Sequence, residues 1–425
     1  MKDPTAIALN PKTSLSANPV NAMKHPSAHP SLHRLLAGLA GLAAWLLALP
    51  ASGQAPTVEF NAGSTGALGD VVITNDTTIV LPADGILHYK SFTVTNDAVI
   101  HFIKNANNTP VYLLSQGDVT LHGRLNLAGG GGGSSGPGLG GPGGSDGGRR
   151  GAGGMAPGDG QGPGGGRAGT AVLDHLPDSA GSGVFLQPWH NGSTNSGAVY
   201  GNAALIPLIG GSGGGGTPAS GGGGSGGAIL IASNTRIAMG GGGNHVVDAT
   251  GGEWGTSGAW NGGSGGGIKM VAPQITGLLR LYVQNRHGTG SPGRVRLDAV
   301  SYAGANFSSV SPQQSLSYGN MLATGLDGAQ PRLELVSVAG KQLPSGNVAT
   351  GFILLPNGSA GEQPVVIRAH NFGTQVPVSV VIAPDNGPTV TVPAVINNTT
   401  QNPATTTVNV LIPANSPVKI NVWTR

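Results

Sequence analysis

Between Gly129 and Gly169 glycine fills 23 of 41 positions, and a second tract runs from Gly210 to Gly227. Shorter tracts occupy Gly240–Gly243 and Gly262–Gly267. Such stretches have almost no side chains with which to build an apolar core, and burial of apolar area is the main force that holds a core together. Collagen is excluded because glycine does not keep every third place, for example at Arg149-Arg150. Calcium-binding nonapeptide arrays are excluded because the long tract offers only Asp146 and Asp159. Two arrangements fit. The tracts are flexible linkers, or they are extended three-fold helices packed so closely that only glycine fits between the backbones. Strand-like segments bracket every tract, which favours the packed form.

The remaining composition removes several function classes. There is no cysteine in the 425 residues, so disulfides, thiolate metal sites and cysteine nucleophiles do not arise. Charged residues make up 9% of the chain, with a formal net charge of +3. That excess lies in residues 1–53, where Lys2, Lys12, Lys24 and Arg34 face Asp3 alone. The rest of the chain is neutral, with no basic patch, so a nucleic-acid partner is not expected.

Leu35 to Leu49 is an apolar run that comes after basic residues and ends at Pro50 and Ala51-Ser52-Gly53. Those are the parts of a secretory signal peptide, and the run is short for a membrane span. Residues 1–53 are expected to be a leader, with Met23 as an alternative start. The mature chain is expected to carry no membrane-spanning segment and to be secreted or at the cell surface, with the periplasm also open.

Residues 56–128 read as short strands punctuated by Asn, Asp and Gly, without a helical period. Thr74-Asn75-Asp76 recurs as Thr95-Asn96-Asp97, and Asp118 comes after a further 21 residues, at the same interval that separates His101 from His122. A 21-residue period suits one rung of a parallel β-solenoid. On that reading Asp76, Asp97 and Asp118 stack, either as weak calcium candidates or, preferably, as caps of their own turns. Similar strands at 230–238 and 270–276 suggest rungs that continue across the Gly-rich excursions. From about Pro331, valine, threonine and asparagine rise, and seven strand candidates suggest an immunoglobulin-like β-sandwich. The expected fold is all-β: a parallel β-solenoid with Gly-rich, polyglycine-helix-like excursions over 56–300, a linker over 301–330, and a β-sandwich over 331–425.

With Asn108-Thr109-Pro110-Val111, Tyr200-Gly201-Asn202, the run Pro207-Leu208-Ile209-Gly210 to Gly216 and Val338-Ala339-Gly340 in place, the chain resembles Gly-rich exported β-solenoid proteins of Gram-negative bacteria. The likeness covers most of residues 60–425. It implies export and a repetitive β architecture and brings no agreed activity. In composition the tracts are also similar to the polyglycine-helix lattices of some phage tail-tip adhesins.

No motif stands out as catalytic. Gly210–Gly214 and Gly262–Gly266 match G-x-S-x-G, but neither has the strand and helix of a nucleophile elbow. The densest window is 244–261, with Asn244, His245, Asp248, Glu253, Trp254 and Trp260. Trp254, Trp260 and, in a lesser window, Trp189 are candidates for stacking on sugar rings. If the chain is an enzyme, Asp248 and Glu253 are its carboxylates and His245 assists them. Solvated loop charges and tryptophans that cover glycine packing are the plainer reading of both windows. The sequence therefore predicts an exported, non-catalytic adhesive or structural protein without a cofactor. Its expected partner is a polysaccharide, a cell-surface glycan or a second copy of itself. A polysaccharide hydrolase or lyase and an ice or crystal-surface binder are the alternatives.

Overall fold

The computed structural model describes residues 59–95, 97–105, 107–170, 180, 182–187, 195–240, 242, 246–253, 261–285, 290–326, 331–343, 355, 361–384, 389–413 and 417–424. The expected leader lies outside them. Eight short strands come first: β1 (Asp70–Ile73), β2 (Thr77–Val80), β3 (Ile86–Tyr89), β4 (Ser91–Val94), β5 (Val99–Ile103), β6 (Val111–Ser115), β7 (Val119–Leu121) and β8 (Arg124–Asn126). After the long glycine tracts come β9 (Ala228–Ser233), β10 (Arg236–Met239), β11 (Val246–Asp248), β12 (Gly267–Leu278), β13 (Leu281–Tyr282) and β14 (Arg294–Ser301). Three more complete this part, β15 (Ala305–Asn306), β16 (Val310–Ser311) and β17 (Leu316–Gly319).

All ladders among these strands are parallel. They form an 11-stranded sheet and a six-stranded sheet, the latter in the order β16-β13-β11-β8-β5-β2. The larger sheet corrects the expected β-solenoid. Its eight-strand path, β1-β4-β7-β10-β12-β9-β6-β3, forms a nearly closed, barrel-like parallel sheet, with β14, β15 and β17 branching from it. The physical reason is the 12-residue β12, which pairs with β9 through Gly267–Val271 and with β10 through Gln274–Gly277. One unbroken strand thus joins two strand series that separate solenoid faces would keep apart. Nor is the spacing constant. Register partners are 21 residues apart at Asp70↔Ser91, 27 at Phe92↔Val119 and 118 at Val119↔Ile237. The segment expected as a linker, 301–330, supplies β15, β16 and β17 to the two sheets.

Strand alternation sorts the side chains. Inward-facing Phe92, Ile100, Leu113, Val119, Leu125, Ile231, Ile268, Met270 and Leu297 belong to one apolar core. On the other face of β6, β9 and β12, Leu114, Leu230 and Val271 pack beneath Phe185, Tyr200, Leu205 and Leu208.

The glycine tracts are packed, so for the described residues the flexible-linker arrangement is excluded. Consecutive N–H groups from Gly221 to Gly227 donate in rotation to three neighbouring segments. Gly221, Gly224 and Gly227 reach Gly133, Gly130 and Leu127; Gly222 and Ser225 reach Gly148 and Ser145; Gly223 and Gly226 reach Asn261 and Ser264. All seven bonds are 2.8–3.0 Å long. A three-residue rotation is the signature of an extended three-fold helix, here surrounded by partners on every side. Residues 220–230 are all buried, and buried backbone groups must find partners. A hydrogen-bonded lattice thus takes the place of apolar packing. Glycine is required because a Cβ on Gly226 would overlap the Ala249 carbonyl, and one on Gly265 would overlap the Val283 carbonyl.

The C-terminal region is antiparallel and β-sandwich-like. Strands β18 (Arg332–Val338), β19 (Lys341–Gln342), β20 (Gly361–His370) and β23 (Ala404–Ile412) form one sheet. Strands β21 (Gln375–Pro384), β22 (Val390–Asn397) and β24 (Val418–Thr424) form the other. Alternate residues Val365, Ile367 and Ala369 of β20 face Val376, Val378, Val380 and Ile382 of β21 across the core. One of the seven strand candidates in the sequence, Gly351–Leu355, lies outside the described residues apart from Leu355.

Candidate functional site

Of the window 244–261, Asn244, His245, Trp254 and Trp260 lie outside the described residues, as does Trp189. Asp248 and Glu253 are described, and their surroundings differ. Asp248 closes β11 between Asn126 and Tyr282 of the neighbouring strands. Its side chain is buried, ion-paired to Arg124, and accepts the Thr250 N–H at 3.0 Å. A carboxylate held this way is a strut between strands, its oxygens taken up by Arg124 and the Thr250 N–H. Glu253 is half-buried, and its carbonyl accepts the Gly132 N–H at 2.9 Å, which fixes the foot of the segment that carries Trp254 and Trp260. At the other foot, Asn261 is buried, receives the Gly223 N–H and donates its own amide to the Gly215 carbonyl.

The three aspartates do not stack. The register Ile73↔Val94↔Leu121 advances by 21 and then 27 residues, and the Asp97 N–H meets the His122 carbonyl at 3.1 Å, four residues beyond Asp118. Asp76 accepts the Val99 N–H at 2.8 Å, while Asp118 receives the Thr235 hydroxyl at 2.6 Å and pairs with Arg236. Both tie one chain pass to the next. Likewise His101 meets Asn126 in register and at 3.2 Å, not His122. Among the described residues no three His, Asp or Glu side chains gather where an ion could sit.

The G-x-S-x-G serines have a structural explanation that the spacing alone did not reveal. Ser212 Oγ accepts the Gly164 N–H and donates to the Tyr200 hydroxyl, while Ser264 Oγ accepts the Ser212 N–H at 2.8 Å. Ser225 Oγ does the same for Ser145 N–H, at 2.8 Å. In the tracts 210–227 and 262–267, Gly-Gly-Ser-Gly units place a hydroxyl oxygen that accepts a lattice N–H. The repetition of that unit was the available signal.

Two further groups were not singled out in the sequence. Lys269 on β12 is wholly buried, lies in register with Leu230 and Arg296, and its Nζ has no hydrogen-bond partner. Burial pushes its ammonium down to about 8, although the Asp298 carboxylate holds it up; the Arg296 guanidinium lowers it further. Arg296 is itself committed to buried Asp298 by two bonds, Nε–Oδ2 at 2.9 Å and Nη2–Oδ1 at 2.6 Å. The second group is aromatic. Phe307 and Tyr318 stack with rings 9° from parallel and centroids 5.6 Å apart, and Tyr302 meets both edge-on. The Tyr302 hydroxyl is bound to the Leu297 and Gly319 carbonyls. Tyr318 is 62% exposed.

Comparison with family models, with curated proteins and with solved structures finds no match to this chain.

Proposed function

We propose that this chain is exported through the leader in residues 1–53 and works at the cell surface or in the extracellular matrix as a non-catalytic adhesive or structural protein. The observation that carries the reading is the three-way hydrogen bonding of Gly221–Gly227. A lattice held by backbone bonds at every residue is stiff, and recognition groups work best on loops held by a rigid base. The segment bearing Trp254 and Trp260 starts and ends on lattice residues Glu253 and Asn261. The segment bearing Trp189 lies between Gln187, whose N–H bonds Ser291 Oγ at 3.4 Å, and Asn195, whose carbonyl takes the Arg167 N–H at 2.8 Å. Tryptophan faces stack on the apolar faces of sugars, so a polysaccharide or a cell-surface glycan is the partner class.

The test is a polysaccharide panel that scores bound protein and newly formed sugar ends together. Binding without new ends, lost in Trp254→Ala or Trp260→Ala, supports the reading. New ends that disappear in Glu253→Gln would replace it with a carbohydrate-cleaving enzyme.

A further inference from the structure

We propose that copies of this chain join end to end, the last strands of one copy (β15, β16, β17) adding to the first strands of the next (β1, β2) and continuing the parallel ladders into a filament. The inference goes beyond the adhesive reading and does not depend on a glycan.

Three parallel strand series run through the molecule. They begin at β1, β2 and β3 and end at β15, β16 and β17 respectively. At the first end, β3 is covered by residues 64–69, through Leu68 N–H to the His88 carbonyl and Ser64 Oγ to the Tyr89 carbonyl. Among the described residues no strand pairs with the outer edge of β1 or β2, nor with those of β15, β16 and β17 at the other end. An open edge is a row of unpaired N–H and C=O groups that templates a further strand.

The apolar core is open at the same two places. Its half-buried members are Val71 and Ile79 on the first strands, and Ala305 and Leu316 on the last, with Tyr302 and Phe307 in the turns beside them. Tyr318 is the sharpest instance. Its register row is Leu87, Leu113, Ile231, Met270 and Leu297, all buried, yet Tyr318 itself is 62% exposed. A row of core positions that ends in an exposed aromatic ring lacks its last layer. Leu68, in the segment that covers β3, is 50% exposed and would meet it.

Natural edge strands are usually blunted by charge. Here no Asp, Glu, Lys, Arg or His occurs from Ala299 to Gly325. Because the two ends are different surfaces, the contact is heterologous, and ladders that continue in one direction from copy to copy give a linear assembly.

The test uses the purified protein and needs no ligand. Sedimentation velocity should show the unaltered protein assembling with rising concentration, in the absence of any polysaccharide. Tyr318→Lys blocks one end and Ile79→Lys the other, so each alone should remain monomeric. Mixed one to one, they should give a species of twice the monomer mass and nothing larger, since each keeps one intact end. If Ile79→Lys does not melt as the unaltered protein does, Val71→Lys takes its place. Monomeric unaltered protein at every concentration, assembly by either single variant, or a mixture that stays monomeric would overturn the proposal.

Discussion

Replacing Lys269 by methionine should make the protein more stable. The lysine is wholly buried with no partner for its Nζ, and burial lowers its proton affinity from 10.5 to about 8. Each tenfold change in proton affinity is about 1.4 kcal/mol. Holding the charge inside at neutral pH therefore costs about 3 kcal/mol, an upper figure because the structure relaxes around it. Methionine fills a similar volume without charge and leaves the Arg296–Asp298 pair balanced. The pH dependence gives the sharper test. Below about pH 8 folded and unfolded chains both hold the proton and the penalty is constant. From about 8 to 10.5 only the unfolded chain holds it, so stability rises with pH. Tyr89, buried, and Tyr112, half-buried, are pushed up to about 12 by desolvation and act the other way above about pH 10, where the unfolded chain loses their protons first. Denaturant unfolding should therefore be compared at about pH 7 and about pH 9.5. The unaltered protein should gain stability between the two, and Lys269→Met should start about 2–3 kcal/mol higher at pH 7 with that slope removed. An unchanged slope, or a variant less stable at pH 7, would refute the reasoning and mean that the ammonium is satisfied in the folded protein.

Two further outcomes test the scaffold. Gly265→Ala forces a Cβ into the Val283 carbonyl, whereas a Cβ on Gly130 meets its nearest neighbour, Leu139 N, at 3.4 Å; thermal melting should show the first losing about 3 kcal/mol and the second changing by less than about 1 kcal/mol. Asp248→Ala strips the partner from Arg124 and leaves the Thr250 N–H unbonded, so denaturant unfolding should show a loss of about 3 kcal/mol, while glycan binding by the folded protein is unchanged.

Much of the strand content was legible because it is local. The alternation in Val376–Ile382 and in Thr405–Leu411 marks two-faced strands wherever they pair. The same locality explains what was misread. The repeat Asp76, Asp97, Asp118 is regular in the chain, but the second step between strands takes 27 residues, so equal spacing did not become a stack. The candidate window suffered similarly. Asp248 is a free acid in the sequence and an ion-paired strut in the fold, because Arg124 reaches it from 124 residues away. Lys269 and Tyr318 gave no signal at all, since a single lysine or tyrosine shows nothing until its register row is known.

By itself the sequence determined that the tracts can pack only where backbones nearly touch, since glycine alone lacks the Cβ that would keep them apart. It also determined that strands, not helices, bracket them. Which segments surround Gly221–Gly227, how β12 joins two strand series into one nearly closed sheet, and where the core is left open were decided by tertiary structure. The physical reason is that a glycine has no side chain with which to specify a neighbour. Its partners are chosen by the strands on either side, whose pairing spans as many as 122 residues.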